Sequence, residues 1–111
     1  MDNSDINKKV EELQFLEQQL QGFLMQKQTV QIEVNEINNA LVELKSSEEE
    51  VYKIVSGFMM KSTKEKLSSE LEEKKKLLDS RIESLDKQGA LLEKNATEIK
   101  KEIDESISNK K

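Results

Sequence analysis

The chain contains no His and no Cys, so the usual ligands of a zinc site and the base of a histidine-dependent triad are both missing from its chemistry. Its three glycines, Gly22, Gly57 and Gly89, stand too far apart to form a phosphate-binding loop. The 23 Asp and Glu residues are interleaved with 18 Lys and Arg residues, the pattern of solvated helix faces and not of a paired-carboxylate site. An enzyme is not expected, and no cofactor or metal is called for. What remains is the chemistry of association, and one stretch is built for it: "EVYKIVSGFMMKSTKEKL", Glu50 to Leu67. Val51, Tyr52, Ile54 and Val55 lead into Ser56-Gly57, and Phe58, Met59 and Met60 follow. β-Branched and aromatic residues around a two-residue turn containing Gly mark a β-hairpin. The rival reading is a helix running straight through, against which stand Gly57 and the crowding of Val51, Ile54 and Val55. A lone two-stranded hairpin is marginal in water, and this one would leave two strand edges and several large apolar side chains uncovered. These seven residues are therefore expected to join strands of other subunits. The alternative is a local cap folded onto the chain's own helices.

The elements that carry the hairpin are helical. From Leu13, apolar residues recur in alternating steps of three and four: Leu16, Leu20, Phe23, Val30, Val34, Ile37, Leu41 and Leu44, with Lys27 as the exception. This is a heptad seam, the mark of a helix packed on another helix. A second, less strict series runs Leu71, Lys75, Leu78, Ile82, Leu85, Gly89, Leu92, Ala96, Ile99, Ile103, Ser106. The expected architecture is mainly α: a long antiparallel coiled-coil hairpin with a short central β-hairpin. One domain over residues 1–111 would comprise helices over 4–47 and 62–108 and the β-hairpin over 50–61. Asn3 to Asp5 offer helix-start residues, and Ser62 with Glu65 has capping-box spacing for the second helix.

If the two seams face each other, paired residue numbers must add to a constant. Leu13 with Ile99, Leu20 with Leu92, Val34 with Leu78 and Leu41 with Leu71 all add to 112. The same rule sets Gly89 opposite Phe23, so Gly89 either makes room for that ring or is a tolerated weak spot. Lys27 either snorkels out of the seam or fixes its register, and register is the preferred reading. The chain ends meet at the far end of the helical pair, with Ile6 and Val10 near Ile103 and Ile107. There, and at Phe15 off the seam, apolar side chains would be available to bind partners without fixed order. The plainer reading is that Ile6, Val10 and Ile103 finish the seam.

Composition agrees. Over 111 residues, 34% are hydrophobic and 37% charged, without Pro or Trp, too little apolar bulk for a compact sphere of this size. A net charge of −5 argues against a nucleic-acid surface. The lysine runs at 74–76, 100–101 and 110–111 read as solvated helix faces. No apolar run approaches the roughly 20 residues of a membrane span, and the N-terminus shows no secretory apolar region. The sequon at Asn95 is then a chance match. The absence of Cys is compatible with a reducing compartment.

A long helix, a short hairpin and a long returning helix together resemble the prefoldin β-subunit family. "VYKIVSGFMMKSTKEKL" is similar to that family's hairpin motif, "LQFLEQQLQGFLMQKQTVQIEVNEINNALVEL" to its first helix and "SRIESLDKQ" to its second. The chain departs from the family's pattern at the turn, where Ser56 stands at the usual Gly position and Gly57 follows. The segment from Lys45 to Ser62 is too short for the two hairpins of an α subunit. The resemblance implies a hexamer of two α and four β subunits, joined by β-barrels built from the hairpins. It implies an ATP-independent cytoplasmic holdase that takes non-native client proteins at its coiled-coil tips and passes them to a group II chaperonin. The competing class is a coiled-coil adaptor or tether with one defined partner.

Overall fold

The computed structural model describes residues 3–109, which leaves the lysine pair Lys110-Lys111 outside the described residues. The element order is α1 (Asn3–Ser46), β1 (Val51–Val55), β2 (Phe58–Ser62) and α2 (Lys64–Asn109). The fold class is the expected one: two long helices with a two-stranded antiparallel hairpin between them. No helix among the described residues is long and apolar enough to cross a membrane.

The chain divides into two compact units. One spans Thr29–Ile82 and contains the hairpin. Its buried residues are Val30, Val34, Ile37 and Leu44, on one stripe of α1. Half-buried Leu67, Leu71, Leu78 and Ile82 supply the α2 side. The other unit takes in the residues up to Gln28 and those from Glu83 onward. Its buried residues are Leu85, Ala96 and Ile103 on α2, with half-buried Leu13, Leu16, Leu20 and Phe23 on α1. Every buried residue named here lies on one of the two heptad series. Burying an aliphatic side chain of this size contributes roughly 1.5–3 kcal/mol.

In the second unit, ion pairs tie the helices together antiparallel. Lys9 pairs with Glu102, Glu17 Oε1 lies 3.6 Å from Lys100 Nζ, and Lys27 Nζ lies 2.7 Å from Asp86 Oδ1. All are partly exposed, so each adds only ~0–1 kcal/mol. Lys27 thus turns its ammonium out of the seam to a carboxylate on the facing helix while its stem stays half-buried. The hydrogen bond from Lys9 to Glu102 raises the Lys9 pKa above its usual value of 10.5.

The structure decides two local questions. The N-cap of α2 is Thr63, not Ser62. The Lys66 N–H donates to Thr63 Oγ1 at 3.2 Å, and the Leu67 N–H donates to the Thr63 carbonyl at 2.9 Å. Ser62 ends β2 opposite Val51, and the residue three beyond the true cap is Lys66, so no capping box forms. At Gly89, an added Cβ would lie 3.8 Å from Leu20 Cδ1, an ordinary contact with nothing closer. Gly89 therefore reserves no space for the Phe23 ring and is the tolerated weak spot. At the other end of α1, Asn3 and Asp5 already lie in the first turn, where the Asp5 carboxylate suits the helix dipole.

Two substitutions test these assignments by thermal unfolding followed by circular dichroism. Gly89→Ala is expected to stabilise by about 1 kcal/mol through helix propensity alone. Thr63→Ala is expected to destabilise by ~1 kcal/mol, while Ser62→Ala leaves the cap intact.

Candidate assembly surface at the hairpin

β1 and β2 pair antiparallel, with Val55 opposite Phe58, Ile54 opposite Met59, Lys53 opposite Met60, Tyr52 opposite Lys61 and Val51 opposite Ser62. Ser56 and Gly57 make the two-residue turn with φ of 51° and 83°. Positive φ at both central positions is the type I′ signature, whose twist matches that of the strands it joins. Gly57 adopts this region freely, whereas Ser56 occupies it against its own Cβ.

Opposed residues share a face of the ribbon. One face carries Val51 and Ser62, Lys53 and Met60, then Val55 and Phe58. Its base is half-buried, and Lys53 Nζ lies 3.3 Å from Glu70 Oε1 on α2. Its tip is open, with Phe58 73% exposed. The other face carries Tyr52 and Lys61, then Ile54 and Met59, which are 74% and 71% exposed. Val55, Tyr52 and Met60 are also exposed. The sequence-derived assembly residues are thus brought together on one ribbon, and all but half-buried Val51 are open to solvent. Apolar surface of this density on so small an element makes the ribbon a candidate interaction surface.

Glu50 and Lys61 were not among the expected site residues, and they organise the base of the second face. The Tyr52 hydroxyl donates to Glu50 Oε2 at 2.7 Å, and Lys61 Nζ lies 3.0 Å from Glu50 Oε1. The signal was legible in principle, because a two-residue turn places Tyr52 directly opposite Lys61. The Tyr52 hydroxyl and then Lys61 hold the Glu50 carboxyl below its usual 4.5. The same hydrogen bond raises the Tyr52 phenol above its usual 10.0. Because the Glu50 value is depressed on folding, its contribution is present above pH 4.5 and is lost as pH falls through the folded value.

The second set of expected residues lies in the unit formed by the chain ends. The Lys9–Glu102 pair brings the first turns of α1 beside the last turns of α2. Ile6 is half-buried and Val10 just exposed, while Ile107 is open and Phe15 is 59% exposed. Ile103 is 9% exposed and belongs to the buried seam. Leu24 and Met25 are also exposed on α1. Among the described residues no group of three or more His, Cys, Asp or Glu side chains is arranged to hold a metal ion.

Two heptad helices joined by an open-edged apolar strand pair define a coiled-coil protein with an exposed β-hairpin. A family model described as "Prefoldin subunit" matches residues 7–110. The chain belongs to the prefoldin family. It is 32% identical over 106 residues to the prefoldin subunit beta of Saccharolobus islandicus, covering 94% of this chain and 84% of that one. It is 35% identical over 98 residues to that of Pyrococcus abyssi, covering 86% and 84%. The crystal structure of the prefoldin beta subunit from Thermococcus strain KS-1 superposes with a TM-score of 0.87 at 34% identity, covering 92% of this chain and 91% of that one. The family is one of chaperone subunits, and the likeness is to its β type.

Tyr52→Phe removes the hydroxyl donor and is expected to move the Glu50 pKa up toward 4.5, with the Lys61 contribution remaining. Carboxyl titration by NMR checks this, and an unchanged Glu50 value would refute the assigned hydrogen bond.

Proposed function

We propose that this chain is a chaperone subunit whose hairpin joins it to an α subunit and to further copies of its own type. The assembly is a hexamer of two α and four β subunits. It holds non-native proteins at the coiled-coil ends without ATP and passes them to a group II chaperonin in the cytoplasm. The observation that carries the reading is the exposure of Ile54, Phe58 and Met59, each above 70%, on a ribbon with two unpaired edges. A two-stranded sheet gains its stability by adding strands, and these side chains are the ones that a barrel would cover.

Client capture is assigned to Ile6, Val10, Phe15, Ile103 and Ile107. Of these, Phe15, Val10 and Ile107 are open to solvent, and unfolded chains display apolar groups without fixed order, so simple apolar contact suffices. Ile103 would take part only where the helix ends separate.

Light scattering of the chain mixed with an α subunit is expected to give a hexamer mass. Phe58→Glu or Val55→Glu should abolish that mass and leave helicity intact, because an unpaired charge buried in the joint costs several kcal/mol. A normal hexamer from either variant would refute the assembly site. A stable dimer indifferent to α would instead favour the adaptor. For capture, Phe15→Ser with Ile107→Ser should lower suppression of aggregation of unrelated denatured proteins without changing the hexamer mass. Undiminished suppression would remove the ends from the client site.

A further inference from the structure

Two of the three glycines lie inside helices, Gly22 in α1 and Gly89 in α2, and neither has a steric reason to be there. Among the described residues, an added Cβ at Gly22 would meet nothing within 4 Å, and one at Gly89 only Leu20 Cδ1 at 3.8 Å. Positive φ among the glycines is confined to Gly57. Alanine would fit at both helical positions, so each glycine weakens its helix by about 1 kcal/mol without a packing return.

The two stand at one level of the helical pair. A groove of about 240 Å³ is lined by Leu20, Phe23, Leu24 and Lys27 from α1 and by Leu85 and Gly89 from α2, so Gly22 lies in the span of α1 that faces Gly89. Lys27, whose ammonium leaves the seam for Asp86, belongs to the same level. Two weak helix residues, a charged seam position and an unfilled groove thus coincide. From there to the chain ends the pair is held lightly. Among the described residues only Ala96 and Ile103 are buried in those end segments. The ionic ties there, Glu17 to Lys100 and Lys9 to Glu102, are partly exposed. Thr97 and Ser106 donate their hydroxyls to the carbonyls of Glu93 and Glu102, each at 2.9 Å, a bond that slightly destabilises and bends helices.

We propose that Gly22 and Gly89 form a joint at which residues 3–21 and 90–109 open together as one local unit, while residues 23–46 and 64–88 stay helical. Cooperative local opening takes place where burial is least. It would uncover Leu13, Leu16 and Ile103, which the closed pair covers wholly or in part. The consequence for clients rests on the capture reading above: a non-native protein binds the open form more tightly and selects it. The glycines then set how often that form occurs, which explains why two positions that alanine would stabilise carry none.

Amide hydrogen exchange of the full-length chain tests the joint. Residues 10–21 and 90–103 should exchange at one common protection, with a step to higher protection beyond Gly22 and Gly89. Gly22→Ala alone should slow exchange about fivefold on both segments, α2 included, and Gly22→Ala with Gly89→Ala about 30-fold. Protection that rises smoothly from the chain ends inward, or a Gly22→Ala effect confined to α1, is ordinary fraying and overturns the joint. In the complex with an α subunit, the double alanine variant should need severalfold more complex to suppress aggregation of denatured proteins equally, at unchanged mass, because fewer chains are open. Phe15→Ser with Ile107→Ser is the control. Slowed exchange with unchanged suppression overturns the link to clients if that control lowers suppression. If the control also keeps full suppression, the capture reading has failed and the joint stands on exchange alone.

Discussion

Everything in this fold that crosses from one half of the chain to the other depends on a reversal made by two residues. Ser56 and Gly57 both hold positive φ, a conformation that costs an L-residue such as Ser about 1–2 kcal/mol and costs Gly little. The cost is offset by the five cross-strand pairs that the turn sets in register, each worth roughly 0.2–1 kcal/mol. A one-residue slip of β2 against β1 would place Met59 and Lys61 on the face opposite Ile54 and Tyr52, because strand side chains alternate with period two. The Glu50 carboxylate would then lose one of its two partners. The turn geometry thus decides both which apolar groups share a face and which polar groups frame them.

Burial is divided unevenly between the elements. Val30, Val34, Ile37, Leu44, Leu85, Ala96 and Ile103 are buried, yet no described side chain falls below 2% exposure. A seam one residue wide on each helix leaves every core side chain near solvent, so stability accrues along the helices and not in a centre. The hairpin contributes little to this seam. Its base touches α2 through the Lys53–Glu70 pair, and its apolar tip is left open. Residues that could have deepened the chain's own core are held outside it. That arrangement makes sense when association supplies the missing burial, since any partner that binds only the folded ribbon stabilises it by mass action.

The seam was legible in the sequence because heptad spacing is a direct image of helix geometry. All the buried residues fall on the two series written from spacing alone, and Lys27 stood out as the one charge within the first. The hairpin was legible from Val51 to Met60 by β-branched content and the Ser-Gly pair. The details at its ends were not. Ser62 and Glu65 satisfy the capping-box spacing, but β2 extends through Ser62 and passes the cap to Thr63, a competition that spacing cannot reveal. The type I′ turn was obscured by Ser56, which seldom occupies the left-handed region. The proximity of Gly89 to Leu20 depends on side-chain directions across two helices, and a register rule based on residue numbers is too coarse to resolve it. Exposure at the chain ends was likewise undetermined. Val10 and Ile103 both occur in apolar series, and only packing separates the open one from the buried one.

Two lysines on the strands resolve a tension that the exposed ribbon would otherwise create. An open strand pair with Ile54, Phe58 and Met59 uncovered is a template for indiscriminate pairing. Lys53 and Lys61 lie within the strands themselves, and each is anchored by a carboxylate, Glu70 and Glu50. An approaching strand with no matching acidic group must desolvate these ammonium groups without return.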